Sequence, residues 1–189
     1  MEVRILTSDG SILCFDTGPL RHFAVEGWLG VLKYLTRDRQ VWIPDTVHEE
    51  ITFQSSETPS LVQVLDAQWI RVDHGGDLEY AMAFARYKDR LASGRTNLGE
   101  CGVLALGDTL GAEVVLDDRI ARQIAEEEGI HVISTLTLLC DGIRQGKLTV
   151  GMVEQVADDL IAGDYYLPFG RGGFRYWALE QAMIGWEDR

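Results

Sequence analysis

Acidic side chains that close apolar runs are the places where this sequence could do chemistry. Asp16 follows Ile12-Leu13-Cys14-Phe15, and Glu50 comes shortly after Val41-Trp42-Ile43-Pro44. Glu100 lies in Asn97-Leu98-Gly99-Glu100, and Asp117-Asp118 follow Val114-Val115-Leu116. An apolar strand that ends on a carboxylate puts the charge at the carboxyl edge of a sheet, the edge where open α/β folds hold ligands. Carboxylates gathered there repel by about 4 kcal/mol per pair at ~4 Å and an effective dielectric of ~20. A divalent cation held by their oxygens removes that cost. Mg²⁺ suits hard oxygen ligands and keeps part of its water shell. Such an ion can acidify a bound water and steady negative charge that develops beside it.

Each acid also has an ordinary structural role open to it. Asp16 before Thr17-Gly18 can cap a turn or helix. Glu50 can be a solvated helix residue beside His48 and Glu49, although its place next to Val47 and Ile51 favours it over Glu49 as the inward-facing acid. Asn97-x-x-Glu100 fits a capping box, while Gly99 and Gly102 allow close backbone approach on either side of Glu100. One of Asp117 and Asp118 can cap the following helix while the other binds metal. The joint arrangement is the signal, because each acid falls near the carboxyl end of a separate strand or in the helix after it.

The elements that must position these acids can be read from apolar periodicity. Residues 12–16, Val41-Trp42-Ile43, Trp69-Ile70-Arg71-Val72, Val114-Val115-Leu116 and His131-Val132-Ile133 read as strands. Leu20 to Leu35 reads as one helical stretch weakened by Gly27 and Gly30, and Pro44-Asp45 opens a helix. Gln54 to Ser60 reads as a loop, followed by a short helix over Leu61 to Leu65. Asp77 to Leu91 is a helix closed by Gly94, the next opens at Asn97, and Arg119 to Glu128 forms another with Gly129 as its cap. Strands alternating with helices predict an α/β fold: a three-layer α/β/α sandwich around a mostly parallel sheet, with a helical and aromatic C-terminal extension. The expected division is 1–148 for the α/β domain and 149–189 for an extension packed on it.

Composition excludes several classes. With 189 residues, 46% of them hydrophobic, the chain suits one domain, and no apolar run approaches a membrane span. Met1-Glu2-Val3-Arg4 lacks the basic start of a secretory signal. Cys14, Cys101 and Cys140 lie inside apolar runs with no CxxC or zinc spacing, so buried thiols and a cytoplasmic location are expected. The four histidines, His22, His48, His74 and His131, form no metal spacing. A net charge of −13 argues against broad electrostatic adhesion to nucleic acid. Any such contact must be local, at Arg21-His22, Lys33 with Arg37 and Arg39, Arg86 through Arg95, Arg119 with Arg122, or Arg171 with Arg175. Phe15-Asp16-Thr17-Gly18 does not suit an aspartyl phosphotransferase, whose second aspartate would fall at 18, a glycine here.

The motifs in order resemble the PIN-domain ribonuclease family, particularly VapC-like toxins of toxin–antitoxin pairs. The resemblance is carried by Ile12 through Leu20, Ile43 through Ile51, Leu98 through Leu106, and Val114 through Arg122 continued by Val132 through Leu139, covering roughly residues 11 to 148. It implies a parallel α/β/α sandwich, an acidic pocket for Mg²⁺ or Mn²⁺, and hydrolytic cleavage of RNA phosphodiesters. It also implies an RNA substrate, a small antitoxin protein as partner, and a homodimer. By position, Asp16, Glu50, Glu100 and Asp117 or Asp118 would form the site, with Asp16, Glu100, Asp117 and Asp118 as the metal candidates. Thr17 and Thr135 would support them. Ser134 stands where relatives often have glycine, and Tyr165 to Arg189 has no clear family counterpart. The rival expectation is a catalytically inactive PIN-like module that binds a protein.

Overall fold

The computed structural model describes residues 11–91 and 97–188, so the helix stop expected at Gly94 and the end of the basic run at Arg95 lie outside the described residues. Among the described residues five strands form one sheet: β1 (Ile12–Phe15), β2 (Gln40–Pro44), β3 (Ile70–Asp73), β4 (Glu113–Val115) and β5 (Val132–Ile133), in the order β3-β2-β1-β4-β5. Every neighbouring pair is parallel, for example Leu13 beside Val41 on one side and beside Glu113 on the other. The centre of a helix-covered parallel sheet is buried on both faces, which is why the central strands read as unbroken apolar runs. Leu13, Cys14, Phe15, Val114 and Val115 are fully buried.

The chain winds outward from β1 through β2 to β3, then returns to build β4 and β5 on the other side of β1. The winding direction therefore reverses between β1 and β4. Such a reversal opens a crevice beyond the carboxyl ends of the two central strands, because their following connections diverge.

Helices fill the outer layers: α1 (Thr17–Val25), α2 (Leu29–Leu35), α3 (Asp45–Ser55), α4 (Val62–Leu65), α5 (Leu78–Leu91), α6 (Leu98–Leu110), α7 (Arg119–Glu127), α8 (Thr135–Arg144), α9 (Val150–Ala162) and α10 (Phe174–Glu180). The expected single stretch from Leu20 to Leu35 is two helices. Gly27 adopts a left-handed φ of 76°, and the Trp28 amide bonds back to the Phe23 carbonyl. That closes α1 in the manner of a Schellman turn, at little cost for a residue without Cβ. The Gln54–Ser60 segment is less of a loop than its composition suggests, since α3 runs to Ser55 and a 3₁₀ turn begins at Pro59.

Helix α6 lies against β1, β2 and β4, with α3 and α5 beside it. From Gly99 to Gly107 every residue except Glu100 is buried. A stretch of helix that is apolar all round belongs in the centre of a domain; only the last turn, at Asp108 and Leu110, is exposed. Its glycines let it approach: a Cβ at Gly107 would stand 2.6 Å from Ile130 Cγ2 and 2.9 Å from Val114 Cγ1. After α8, Val153, Val156 and Leu160 of α9 and Phe174 and Ala178 of α10 join the same continuous core as the central strands. The three cysteines are free and buried. Among the described residues no helix is long and apolar enough to cross a membrane.

The α6 contact gives a test of the packing. Gly107→Ala gains about 1 kcal/mol of helix propensity but forces a methyl into rigid neighbours, at about 1–3 kcal/mol. Urea denaturation should show net loss of stability; a more stable variant would mean α6 does not press on β4 at this point.

Candidate metal-binding active site

Asp16 is the first residue beyond β1 and stands at the N-cap of α1; its amide still bonds the Val115 carbonyl of β4, 3.3 Å away. Sheet pairing thus holds Asp16 at the mouth of the crevice. Thr17, buried beneath it, donates its hydroxyl to Glu50 Oε2 at 2.7 Å. The other oxygen of Glu50 accepts from Gln54 Nε2 at 3.0 Å. Glu50 is therefore turned inward on α3 while Glu49 stays exposed, as the apolar neighbours Val47 and Ile51 require.

Gly99 completes this wall. A Cβ there would lie 3.0 Å from Asp16 Oδ1, 3.2 Å from Glu50 Oε2 and 3.4 Å from Thr17 Oγ1. The bare backbone of the first turn of α6 is what lets two carboxylates occupy one corner. Glu100, the next residue, is half-buried, and its own backbone amide partly offsets the charge.

On the other side of the switch, Asp117 accepts the Thr135 amide at 2.9 Å on Oδ1 and the Thr135 hydroxyl at 2.6 Å on Oδ2. A third donor, the hydroxyl of Tyr165, also bonds Oδ2. Asp118 caps α7, its Oδ1 accepting from the amides of Ile120 and Ala121 at 2.9 and 2.8 Å. Ser134 caps α8, its hydroxyl accepting from the Thr137 amide at 3.1 Å.

The electrostatics follow from this crowding. Burial, then Glu100 and Glu50, push the Asp16 carboxyl up to about 8, although the amides of Thr17 and Gly18 pull the other way. Glu100 is raised by burial and by Glu50 and Asp118. Asp16, Glu50, Glu100 and Asp118 therefore share one negative field. Burial and the neighbouring Asp117 carboxylate hold the Tyr165 phenol well above its ordinary value, and Asp16 adds to that shift. None of the ion pairs among the described residues involves Asp16, Glu50, Glu100, Asp117 or Asp118. Among those residues, no group of three or more His, Cys, Asp or Glu side chains forms a ready-made metal cage. The donors are nevertheless all hard oxygens, without an ion-paired base among the described residues, which in chemical type fits Mg²⁺ or Mn²⁺.

A family profile, DUF3368, described as a PIN domain, matches residues 12–170. The chain belongs to the PIN-domain family. The match to this PIN domain spans all five strands and runs past α9, so it takes in Tyr165, which the sequence motifs did not single out. No curated protein matches the chain. Among solved structures, a VapBC2 complex from Rickettsia felis, bound to a DNA fragment from its promoter, is similar at 10% identity. That likeness covers 65% of this chain and 98% of the other, with a TM-score of 0.48.

The raised Asp16 carboxyl predicts a pH dependence. Unfolded, the group titrates near 3.8; folded, near 8, so between these values the folded state binds the more protons. Stability of the ion-free protein should therefore fall as pH rises through that window. Asp16→Asn removes the effect. In EDTA, the urea midpoint of the wild type relative to Asp16→Asn should decline from pH 5 to pH 8; a flat difference would mean the charge is already compensated.

Proposed function

We propose that this PIN domain is a metal-dependent endoribonuclease that hydrolyses RNA phosphodiesters, acting as the toxin of a toxin–antitoxin pair. The observation that carries the reading is a set of uncompensated carboxylates, Asp16, Glu50, Glu100 and Asp118, sharing one field at the switch between β1 and β4. Membership of the PIN family supports it. Asp16, Glu100 and the Asp117-Asp118 pair would hold Mg²⁺ or Mn²⁺, which when bound supplies charge neutralisation and an acidified water. Within the pair the two acids divide the work. Asp118 has Oδ2 without a hydrogen-bond partner among the described residues and is the direct ligand, whereas Asp117 has donors on both oxygens and fixes the pocket wall. Glu50, held by Thr17 and Gln54, orients the attacking water.

The substrate contacts in this reading are local. Arg39 is taken up by Glu113, Arg86 by Asp108 and Glu128, and Arg90 by Glu127 and Glu128. Arg21 on α1 and Arg119 at the start of α7 make no ion pair among the described residues, and each shortly follows a pocket acid in the chain. Their guanidinium groups are available for phosphates. A small antitoxin protein would quench the pocket, and a homodimer is part of the same reading.

Purified protein incubated with total cellular RNA and Mn²⁺ should cut it, with EDTA or Asp16→Asn abolishing cleavage and circular dichroism unchanged. Full cleavage by Asp16→Asn would overturn the reading; Mn²⁺ binding without cleavage of any RNA would favour a protein-binding module. Gly99→Ala offers a second check. Its methyl, 3.0 Å from Asp16 Oδ1, should weaken Mn²⁺ binding and slow cleavage at least tenfold while the thermal midpoint stays near wild type, since alanine suits a helix better than glycine.

A further inference from the structure

Taking its functional meaning from the nuclease reading above, we infer that Tyr165 is a positioning residue of the acidic pocket, fixing Asp117 so that the segment after α9 completes a site otherwise built at the ends of β1 and β4. The hydroxyl of Tyr165 bonds Asp117 Oδ2 and stands 3.2 Å from Thr135 Oγ1, so two hydroxyls converge on one carboxylate oxygen while the Thr135 amide holds the other. With donors on both oxygens, the carboxylate cannot rotate about its own axis without stranding a buried partner, and stranding a buried polar group costs about 1–3 kcal/mol. Hydroxyl-to-carboxylate bonds are also among the stronger ones a protein makes.

The turn after α9 and helix α1 hold the phenol in place. The turn that ends α9 puts Asp164 at a left-handed φ of 63°, and the Tyr165 amide returns to the Leu160 carbonyl at 2.9 Å. This is a Schellman turn with aspartate in the usual glycine position. It sends the ring back toward the sheet, where it is buried. The His22 ring of α1 lies against it, with centroids 4.6 Å apart. His22 belongs to the helix capped by Asp16, so one aromatic contact joins the helix after β1 to the acid after β4.

Tyr165→Phe removes the hydroxyl and keeps the ring against His22. In metal-free protein the Thr135 amide should exchange with solvent at least several-fold faster in this variant, with other α8 amides unchanged, because its acceptor is no longer held. Calorimetry with Mn²⁺ alone should show affinity lowered by roughly 10–100-fold, the usual effect of losing an outer contact, because a loosened Asp117 no longer fixes the wall beside Asp118. Wild-type exchange at Thr135 together with wild-type Mn²⁺ affinity would overturn the inference. Faster exchange spread evenly over α8 would also overturn it, by making Tyr165 a packing residue only. If the wild type binds no Mn²⁺, the nuclease reading falls, and the Thr135 amide alone decides the role of Tyr165.

Discussion

Mutual repulsion among carboxylates held at one sheet edge is the constraint on which this structure turns. No lysine or arginine among the described residues is ion-paired to them, and the fold moderates the strain with backbone instead. Asp16 stands at the start of α1, Glu100 in the first turn of α6, Asp118 at the cap of α7, and Asp117 against the first amide of α8. Helix N-termini carry partial positive charge and free N–H donors, worth up to about 1 kcal/mol each at exposed sites. Four of them at one crevice soften the field without cancelling it, as the elevated Asp16 carboxyl records. An acidic hollow kept unneutralised by side chains retains its attraction for a cation.

Packing serves that arrangement. A sheet buried on both faces needs an apolar helix pressed against it, and α6 is that helix. Its glycines sit where the approach is close, Gly102 against Thr46 and Pro44, Gly107 on the β4 side and Gly99 at the carboxylates. The same helix therefore anchors the core at one end and shapes the pocket at the other. Glu100 is the only charged residue between Leu98 and Gly107, so the buried stretch of the helix places its one charge at the crevice.

The central strands, their parallel pairing and the acids beyond them were legible because apolar runs and carboxylates are local signals. Glu50 was separable from Glu49 by the period of α3 alone, and Gly129 announced the end of α7. Other features were not local. The Gly27 break looked like a weakness in one helix because sequence cannot say that the chain must turn there. The division of Asp117 from Asp118 depends on which one meets α8, and neighbouring letters carry no such information. Tyr165 was hardest of all: one tyrosine in an aromatic-rich tail, brought to the pocket by an aspartate in a left-handed turn that composition does not reveal.

The reach of the pocket along the chain has a consequence for synthesis. Its parts are contributed from residue 16 to residue 165 of 189, and all its strands pair in parallel, a topology of distant contacts that forms slowly. A ribosome releases the N-terminal acids first, yet Asp117 acquires its last hydroxyl only when the turn after α9 has emerged and folded back. The growing polypeptide thus carries an unfinished acidic pocket until residue 165 has left the ribosome, long after Asp16 and Glu50 have been made.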